Sequence, residues 1–282
     1  MTSRGDVHSQ QVTVIEPLGG RIWPDLVACW RYRHLVGMVT LSHLRARYKQ
    51  NLLGPFWIVL QPLMTMVVFT VLFGLVARLP SGGKPYAVFA FAALLPWNLF
   101  AGIVASSADC LVTSRALLEK VYFPRLVLPL ARILSQLVDF SVNLLILAGM
   151  LVWFDQVPGP ALWLLPGYVL LCTALGLGCG CLVAGAAARH RDMLQVVSFG
   201  TRLWMYATPV VYSAELVPQT WRPLLEWNPM THVVEAFRRG FLGEGQALSA
   251  HSLIGCSLIT LVVLVTGLHV FHRASATSVD IA

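Results

Sequence analysis

The chain has 282 residues, of which 57% are hydrophobic and only 12% are charged. Soluble domains carry about 25% charged residues, so this composition excludes an ordinary soluble protein and indicates an integral membrane protein. The formal net charge is +7, and because the basic residues flank apolar runs it indicates orientation in a membrane rather than nucleic-acid binding.

The N-terminal tail, residues 1–24, lacks the apolar core and small-residue cleavage site of a signal peptide. We therefore expect the first span to act as the insertion signal. Residues 25–50 come next and predict a basic amphipathic helix, with Trp30 and Val36 on one side and arginines elsewhere. Such a helix suits the cytoplasmic membrane surface, where anionic lipids attract cations.

Six apolar segments are long enough to cross a bilayer, which needs about 20 residues of helix. They are residues 56–77, 85–108, 126–154, 161–188, 193–214 and 252–271. We predict an all-α polytopic membrane protein with six transmembrane helices. The third segment contains Arg132 and Asp139 and the fifth contains Arg202, and charges inside spans are usually functional. Gly176 and Gly180 in the fourth predict close packing of helices within the protein.

The segment between the second and third spans, residues 111–125, is short and amphipathic. Polar Glu119 and Lys120 precede an apolar Val-Tyr-Phe run, and Pro124 must end the helix or bend the chain. Two interpretations remain open for this segment. It is an interfacial anchor, or it is a docking surface for a cytoplasmic partner.

The segment before the last span, residues 215–251, is too apolar for a solvated loop, and its runs are too short to span. Three prolines break it within its first half. We predict short re-entrant or interfacial helices, which are tolerated at membrane depth where protein covers them. Glu235, Arg238 and Arg239 have the spacing that allows ion pairing on one helix face.

The lysines and arginines outside the spans are distributed unevenly. With the N-terminus inside, 13 lie in inside segments and five in outside segments. Basic residues concentrate on the cytoplasmic side of membrane proteins. We therefore expect both termini to be cytoplasmic.

The sequence has no phosphate-binding loop, no HExxH and no GxSxG motif. Its six cysteines lack metal-binding spacing and are expected to be small buried hydrophobic side chains. We predict a transport protein without catalytic or metal-binding residues, driven by ions or by another chain. Arg132 and Asp139 lie seven residues apart, about 10 Å along a helix, which is too far for direct contact. A pairing of Arg202 with Asp139 on a neighbouring helix is left open.

Five motifs occur in a characteristic order. They are RYKQNLLGPFWIVLQPL at 47–63, LLEKVYFPRLVLPLARIL at 117–134, ARHRDM at 188–193, YATPVVY at 206–212 and NPMTHVVEAFRRGFLG at 228–243. In this order and spacing they resemble the membrane (permease) subunit of type-2 ABC exporters, in the branch that exports O-antigen, capsule and wall teichoic acid. The resemblance covers about residues 25–272.

That resemblance implies that residues 25–272 form the transmembrane domain, followed by a C-terminal tail at 273–282. It implies a homodimer in the bacterial cytoplasmic (inner) membrane that works with two copies of a separate cytoplasmic ABC ATPase. ATP and Mg would bind that ATPase, so this chain would carry no cofactor. The substrate would be a lipid-linked polysaccharide, with membrane lipid as the surroundings and no nucleic-acid partner.

The resemblance also assigns roles to residues. ATPase coupling would involve Glu119, Lys120, Tyr122, Phe123 and Pro124. The cytoplasmic entrance would involve Arg47, Tyr48 and Lys49. The first and fifth spans would line a channel, and sugars stack on aromatic faces. The lining candidates are Phe56, Trp57, Phe69, Phe73, Arg202, Trp204, Tyr206 and Tyr212. The outer gate would involve Trp227, Asn228, Pro229, Glu235 and Arg238.

Arg202 departs from this pattern, because similar exporters often carry a neutral polar residue at that place. A charge that faces the channel suits an anionic lipid pyrophosphate or acidic sugar, and we favour this over pairing with another helix. Two alternative functions remain. One is a permease of the same superfamily for a drug or lipid, and the other is an intramembrane enzyme that acts on a lipid-linked substrate.

Overall fold

The computed structural model describes residues 29–49, 54–114, 117, 123–243, 245 and 249–277. These residues are almost entirely helical, and no strand occurs among them. The α-helices are α1 (Arg33–Lys49), α2 (Trp57–Phe69), α3 (Tyr86–Thr113), α4 (Val127–Trp153), α5 (Leu165–Arg189), α6 (Asp192–Ala207), α7 (Arg222–Glu226), α8 (Pro229–Leu242) and α9 (Ala250–Thr277). The predicted all-α class is confirmed.

Five helical segments are long and apolar enough to cross a membrane. They are Trp57–Val76, Tyr86–Thr113, Val127–Trp153, Pro160–Arg189 and Ala250–Ser275. They correspond to five of the six predicted spans. The first includes a π-helical turn, Thr70–Val76, after α2, and the fourth begins with a short 3₁₀ turn, Pro160–Leu164.

The remaining predicted span, residues 193–214, corresponds to α6, which has 16 residues and ends at Ala207. A helix of that length is about 24 Å long, less than the roughly 30 Å of a bilayer's hydrocarbon core. The helix stops because Thr208 precedes Pro209, and proline forces the residue before it towards extended backbone. Thr208 accordingly has ψ 140°. Six crossings therefore stay a prediction.

Helix α3 forms the centre of the molecule, since 19 of its 28 residues are buried. It packs against α4, α5 and α8, and α5 packs equally closely against α9. Gly176 and Gly180 face α3, where a Cβ would meet Ile103 and Ser107. Their predicted role in close packing within the protein is confirmed.

The segment before the last span folds into short helices, as predicted. Helix α8 has 14 residues, and 12 of them are buried against α3, α5 and the 3₁₀ turn before α5. The Gly159 amide donates to the Gly240 carbonyl at 2.9 Å, which ties α8 to that turn. Gly243 ends α8 in the left-handed conformation, at φ 72°. Most of α8 is thus covered by protein.

Two helices pack much less. In α2 only Phe69 is buried, and none of the 16 residues of α6 is buried. Helix α1 is different again, because it lies along the first half of α4 and makes polar contacts with it. The molecule therefore has a packed core of α3, α5 and α8, with α2 and α6 on its periphery.

Candidate functional site

The peripheral helices expose aromatic side chains. Phe56 and Trp57 at the start of α2 are 58% and 47% exposed, and Tyr206 near the end of α6 is 59% exposed. Arg202 is also exposed, four residues before Tyr206. It makes no ion pair among the described residues. Four of the eight predicted channel-lining side chains are therefore on the surface of the protomer.

The other four predicted lining residues are partly or fully covered. Phe69 is 9% exposed and meets Phe73 edge to face, with ring centroids 5.6 Å apart. Trp204 meets Phe100 of α3 in the same way at 5.0 Å. The Tyr212 hydroxyl donates to the Tyr206 carbonyl at 3.2 Å. These rings join the peripheral helices to the core and offer less surface to a ligand.

Asn228 connects the end of α6 to the start of α8. Its Oδ1 accepts from the Met230 amide at 3.1 Å, which caps α8, and from Nε1 of Trp204 at 3.2 Å. Its Nδ2 donates to the Thr208 hydroxyl at 2.9 Å. Pro229 then occupies the first helical position, where its missing amide hydrogen costs nothing. One side chain thus fixes both helix ends.

Glu235 and Arg238 form a buried ion pair at 2.8 Å, so the predicted pairing is confirmed. The Arg238 guanidinium also donates to the carbonyls of Val210 and Tyr212, at 2.9 and 3.2 Å, and lies 3.9 Å above the Phe89 ring. It therefore holds the turn after α6 against α8 and α3. Trp227, the first residue of the predicted outer gate, is 52% exposed.

The charged residues of α4 face α1. Asp139 accepts from Arg47 at 2.7 Å, and Arg132 donates to the Thr113 hydroxyl at 2.6 Å and contacts the His43 ring. Arg132 and Asp139 do not contact each other, as their spacing predicts. The hypothesis that Arg202 is the partner of Asp139 is not supported, because Arg47 occupies that position.

Burial and, to a lesser extent, the positive charges of Arg132 and Arg47 lower the pKa of His43 to about 4. The imidazole is therefore neutral at pH 7. A neutral ring accepts a hydrogen bond from the guanidinium, whereas a charged ring would repel it. Through His43 and Arg47, α1 is attached to the first half of α4.

The predicted coupling segment lies mostly outside the described residues, because Glu119, Lys120 and Tyr122 are among those that the structure does not describe. Phe123 and Pro124 are described, and both are buried. The Phe123 ring belongs to a cluster with Val36 of α1 and Leu126. It therefore fixes the segment to the protein's own core. Of the predicted entrance, only the Arg47 side chain is described.

Sequence comparisons identify the family. The family model for ABC-2 type transporters matches residues 34–242. The chain belongs to the ABC-2 type transporter family. That membership agrees with the all-α, multi-pass architecture and places the chain among transport proteins.

Several curated relatives match most of the chain. The O-antigen export system permease protein RfbA of Myxococcus xanthus is 30% identical over 86% of this chain and 93% of its own length. The protein of the same name from Klebsiella pneumoniae is 25% identical over 85% and 91%. The polysialic acid transport protein KpsM of Escherichia coli is 23% identical over 82% and 90%.

Sequence reasoning considered only the charged residues within the spans and overlooked the amides. Gln61, Asn98, Gln136 and Asn143 lie in three different spans, and the fold brings them to one cleft. The signal was visible, since amides are costly inside a bilayer and mark functional sites or helix contacts. Their convergence depends on tertiary packing that the sequence does not specify.

Proposed function

We propose that the chain is the permease of an ATP-driven exporter that moves a lipid-linked polysaccharide from the cytoplasm across the inner membrane. The observation that carries the proposal is the agreement among relatives. The export permeases for O-antigen and polysialic acid align over 82–86% of this chain and at least 90% of their own lengths. The family model, which matches residues 34–242, includes α2 and α6.

The permease works as a homodimer with two copies of a separate ATPase, which holds ATP and Mg. The bare surfaces of α2 and α6 support the dimer, because contiguous exposed apolar surface marks membrane or protein contacts. The coupling segment, which includes Phe123 and Pro124, contacts the ATPase. Because Phe123 packs in one cluster with residues of α1, α3 and α4, a movement of the coupling segment would be transmitted to these helices.

The glycan path follows the exposed side of α2 and α6. Phe56, Trp57 and Tyr206 offer rings on which sugars stack through their C–H faces. Arg202 on the same helix as Tyr206 attracts an anionic lipid pyrophosphate or an acidic sugar. Stacking tolerates many sugars, which suits a conduit for a repeating polymer.

The segment from Trp227 through α8 forms the outer gate. The buried Glu235–Arg238 pair and Asn228 attach this segment to both the end of α6 and the core. A displacement of α6 would therefore move α8 with it. The channel lining on α6 and the outer gate would therefore move together.

The test is deletion of the gene in its own bacterium, with complementation by the intact chain. We expect loss of surface polysaccharide and accumulation of lipid-linked glycan in the cytoplasmic leaflet, measured by extraction and by surface labelling. Restoration by the intact chain is the control. Normal surface polysaccharide with altered lipid composition or drug sensitivity would contradict the proposal and favour a drug or lipid permease.

A further inference from the structure

A polar cleft lies where α2, α3 and α4 meet, apart from the residues proposed to line the glycan path. Its volume is about 240 Å³, and it is lined by Gln61 from α2, Asn98 from α3, and Gln136, Asp139 and Asn143 from α4. Asn98 is 12 residues from the start of the 28-residue α3, about 18 Å along the helix axis. Asn98 is therefore near the middle of α3, and the cleft extends from it to Gln61 near the start of α2 and to Arg47 of α1.

One acceptor in this cleft lacks a partner. Asn143 is 8% exposed, and its Nδ2 donates to the Asp139 carbonyl at 2.8 Å, which fixes the orientation of the amide. Its Oδ1 is buried, and no hydrogen-bond donor reaches it in the described part of the chain. Buried polar atoms are normally satisfied, so a donor from a bound group would stabilise this oxygen.

The charge of the cleft limits what that group can be. Arg47 and Asp139 are 2.7 Å apart and neutralise each other. A phosphodiester has only acceptors, so it cannot satisfy the Asn143 oxygen, and the neutralised ion pair offers it no net positive charge. A hydroxyl group both donates and accepts, as amide side chains require. The cleft therefore favours a neutral hydroxylated group over an anion.

The shape of the cleft agrees with a single ring. Its volume is below the roughly 300–1,000 Å³ of pockets for drug-sized ligands. Phe140 and Pro62 line it together with the amides. An aromatic face and an apolar ring next to hydrogen-bonding amides suit a sugar, which has C–H faces and a hydroxylated rim.

We infer that this cleft is an intramembrane binding site for one neutral, hydroxylated ring presented from the bilayer on a lipid tail. The inference rests on the proposed function only for the source of the ring. That source is either the lipid-linked glycan or a glycolipid of the membrane, and both have the same headgroup chemistry.

The experiment uses the full-length chain in lipid nanodiscs and a dodecyl glucoside that carries a diazirine next to the sugar. After illumination, mass spectrometry locates the cross-links. We expect them in the peptides that contain Gln61, Asn98 and residues 136–143. A dodecyl phosphate with the same diazirine should label these peptides several-fold less. Equal labelling by the phosphate probe, or labelling spread evenly over all exposed helices, would overturn the inference.

Variants test whether the amides hold the ring. Asn98→Leu and Asn143→Leu should each lower cleft labelling about tenfold, the effect of roughly one hydrogen bond. Ser141→Leu is the matched control on α4, because Ser141 is exposed and bonds only to the Leu137 carbonyl. If Asn143→Leu does not fold, Asn98→Leu still decides, since Asn98 is exposed within the cleft. Labelling unchanged by Asn98→Leu would reject the site.

Export measured in the same variants identifies the source of the ring. Loss of export together with labelling assigns the site to the transported glycan, and intact export with lost labelling assigns it to a membrane glycolipid. Labelling needs neither ATPase nor transport, so its failure leaves the proposed function standing. Failure of the gene-deletion test would likewise leave the cleft as a sugar site.

Discussion

Helices α2 and α3 are both apolar candidate spans, yet their surroundings are opposite. Most of α3 is buried inside the protomer, whereas only Phe69 of α2 is buried. Helix α6 resembles α2, and α8 resembles α3 despite its shorter length. Core helices keep the protomer folded, and peripheral helices have surface left for lipid, a second protomer or a substrate. Substitutions should therefore affect stability in the core and transport in the periphery.

The largest effect is expected for Arg238→Met. This change removes the guanidinium that donates to the buried Glu235 carboxylate and to the Val210 and Tyr212 carbonyls. Removal of one partner from a buried ion pair costs about 3–5 kcal/mol, so we expect little folded protein. The measurement is the amount of monodisperse protein after heating of the detergent-purified chain.

Arg202→Met is the matched control, because Arg202 is exposed on α6. It should change stability by no more than about 0.5 kcal/mol, as surface substitutions usually do. The double variant Glu235→Leu/Arg238→Met should recover part of the loss, since it removes both charges of the buried pair. If Arg238→Met and Arg202→Met were equally stable, buried Arg238 would contribute no more to the free energy of unfolding than exposed Arg202.

Two glycines give the next test. A Cβ on Gly178 of α5 would lie 2.8 Å from the backbone of Leu264 in α9, whereas a Cβ on Gly200 of α6 meets nothing within 4 Å. Gly178→Ala must separate α5 from α9, and overpacking costs about 1–3 kcal/mol. Gly200→Ala should stabilise by about 0.5–1 kcal/mol, because alanine favours helix over glycine.

The glycine pair is compared by thermal unfolding in the same detergent. The two changes add the same methyl group to a helix, so each controls for the other. Opposite signs are expected. A destabilised Gly200→Ala variant would mean that a second protomer or another partner packs against that face of α6. Helix α6 would then be part of an interface rather than the periphery.

The third test concerns the contact between α1 and α4. We expect a coupling free energy of about 1 kcal/mol between Arg47 and Asp139, because the arginine side chain is 44% exposed and solvent screens the pair. It is measured by a double-mutant cycle with Arg47→Gln and Asp139→Asn. The control cycle replaces exposed Arg45 instead and should give no coupling. Equal coupling in both cycles would contradict the observed pairing.

The sequence predicted which segments are helical, because charge-free windows of about 20 residues are long enough to span a bilayer. It did not predict which of them are buried. Lipid tails and protein interiors are similarly apolar, so α2 and α3 look alike in composition although their packing differs. The pair Thr208-Pro209 indicates that α6 ends at Ala207. The apolar residues after it favoured the longer predicted span, residues 193–214.

For the candidate site, local relations were predictable and distant ones were not. The Glu235–Arg238 pair follows from helical spacing, and its prediction is confirmed. Asp139 pairs with Arg47, 92 residues earlier, which no local pattern indicates. The cleft amides come from three helices for the same reason. Phe123 is the clearest example. An apolar residue near a membrane surface gives the same sequence pattern whether it packs in the protein core or contacts a partner.

The smallest effect is expected from pH at His43, on the contact that joins α1 to the core. Its pKa in the folded protein is about 4, below the usual 6.5, mainly because of burial and secondarily because of Arg132 and Arg47. Between these two values the unfolded chain binds a proton that the folded chain does not. Stability is therefore present above pH 6.5 and falls as the pH falls towards 4. Solvent screening at this half-buried position limits the loss at pH 5 to about 1 kcal/mol.

His43→Gln isolates this contribution, because glutamine keeps a hydrogen-bond acceptor for Arg132 without titrating. Thermal unfolding at pH 7 and pH 5 should show a smaller decrease for the variant than for the native chain. Carboxylates titrate in both proteins, so their contribution cancels in the difference. An identical decrease would mean that protonation of His43 does not weaken the contact between α1 and α4. The attachment of the peripheral side to the core would then depend on Arg47–Asp139 rather than on His43.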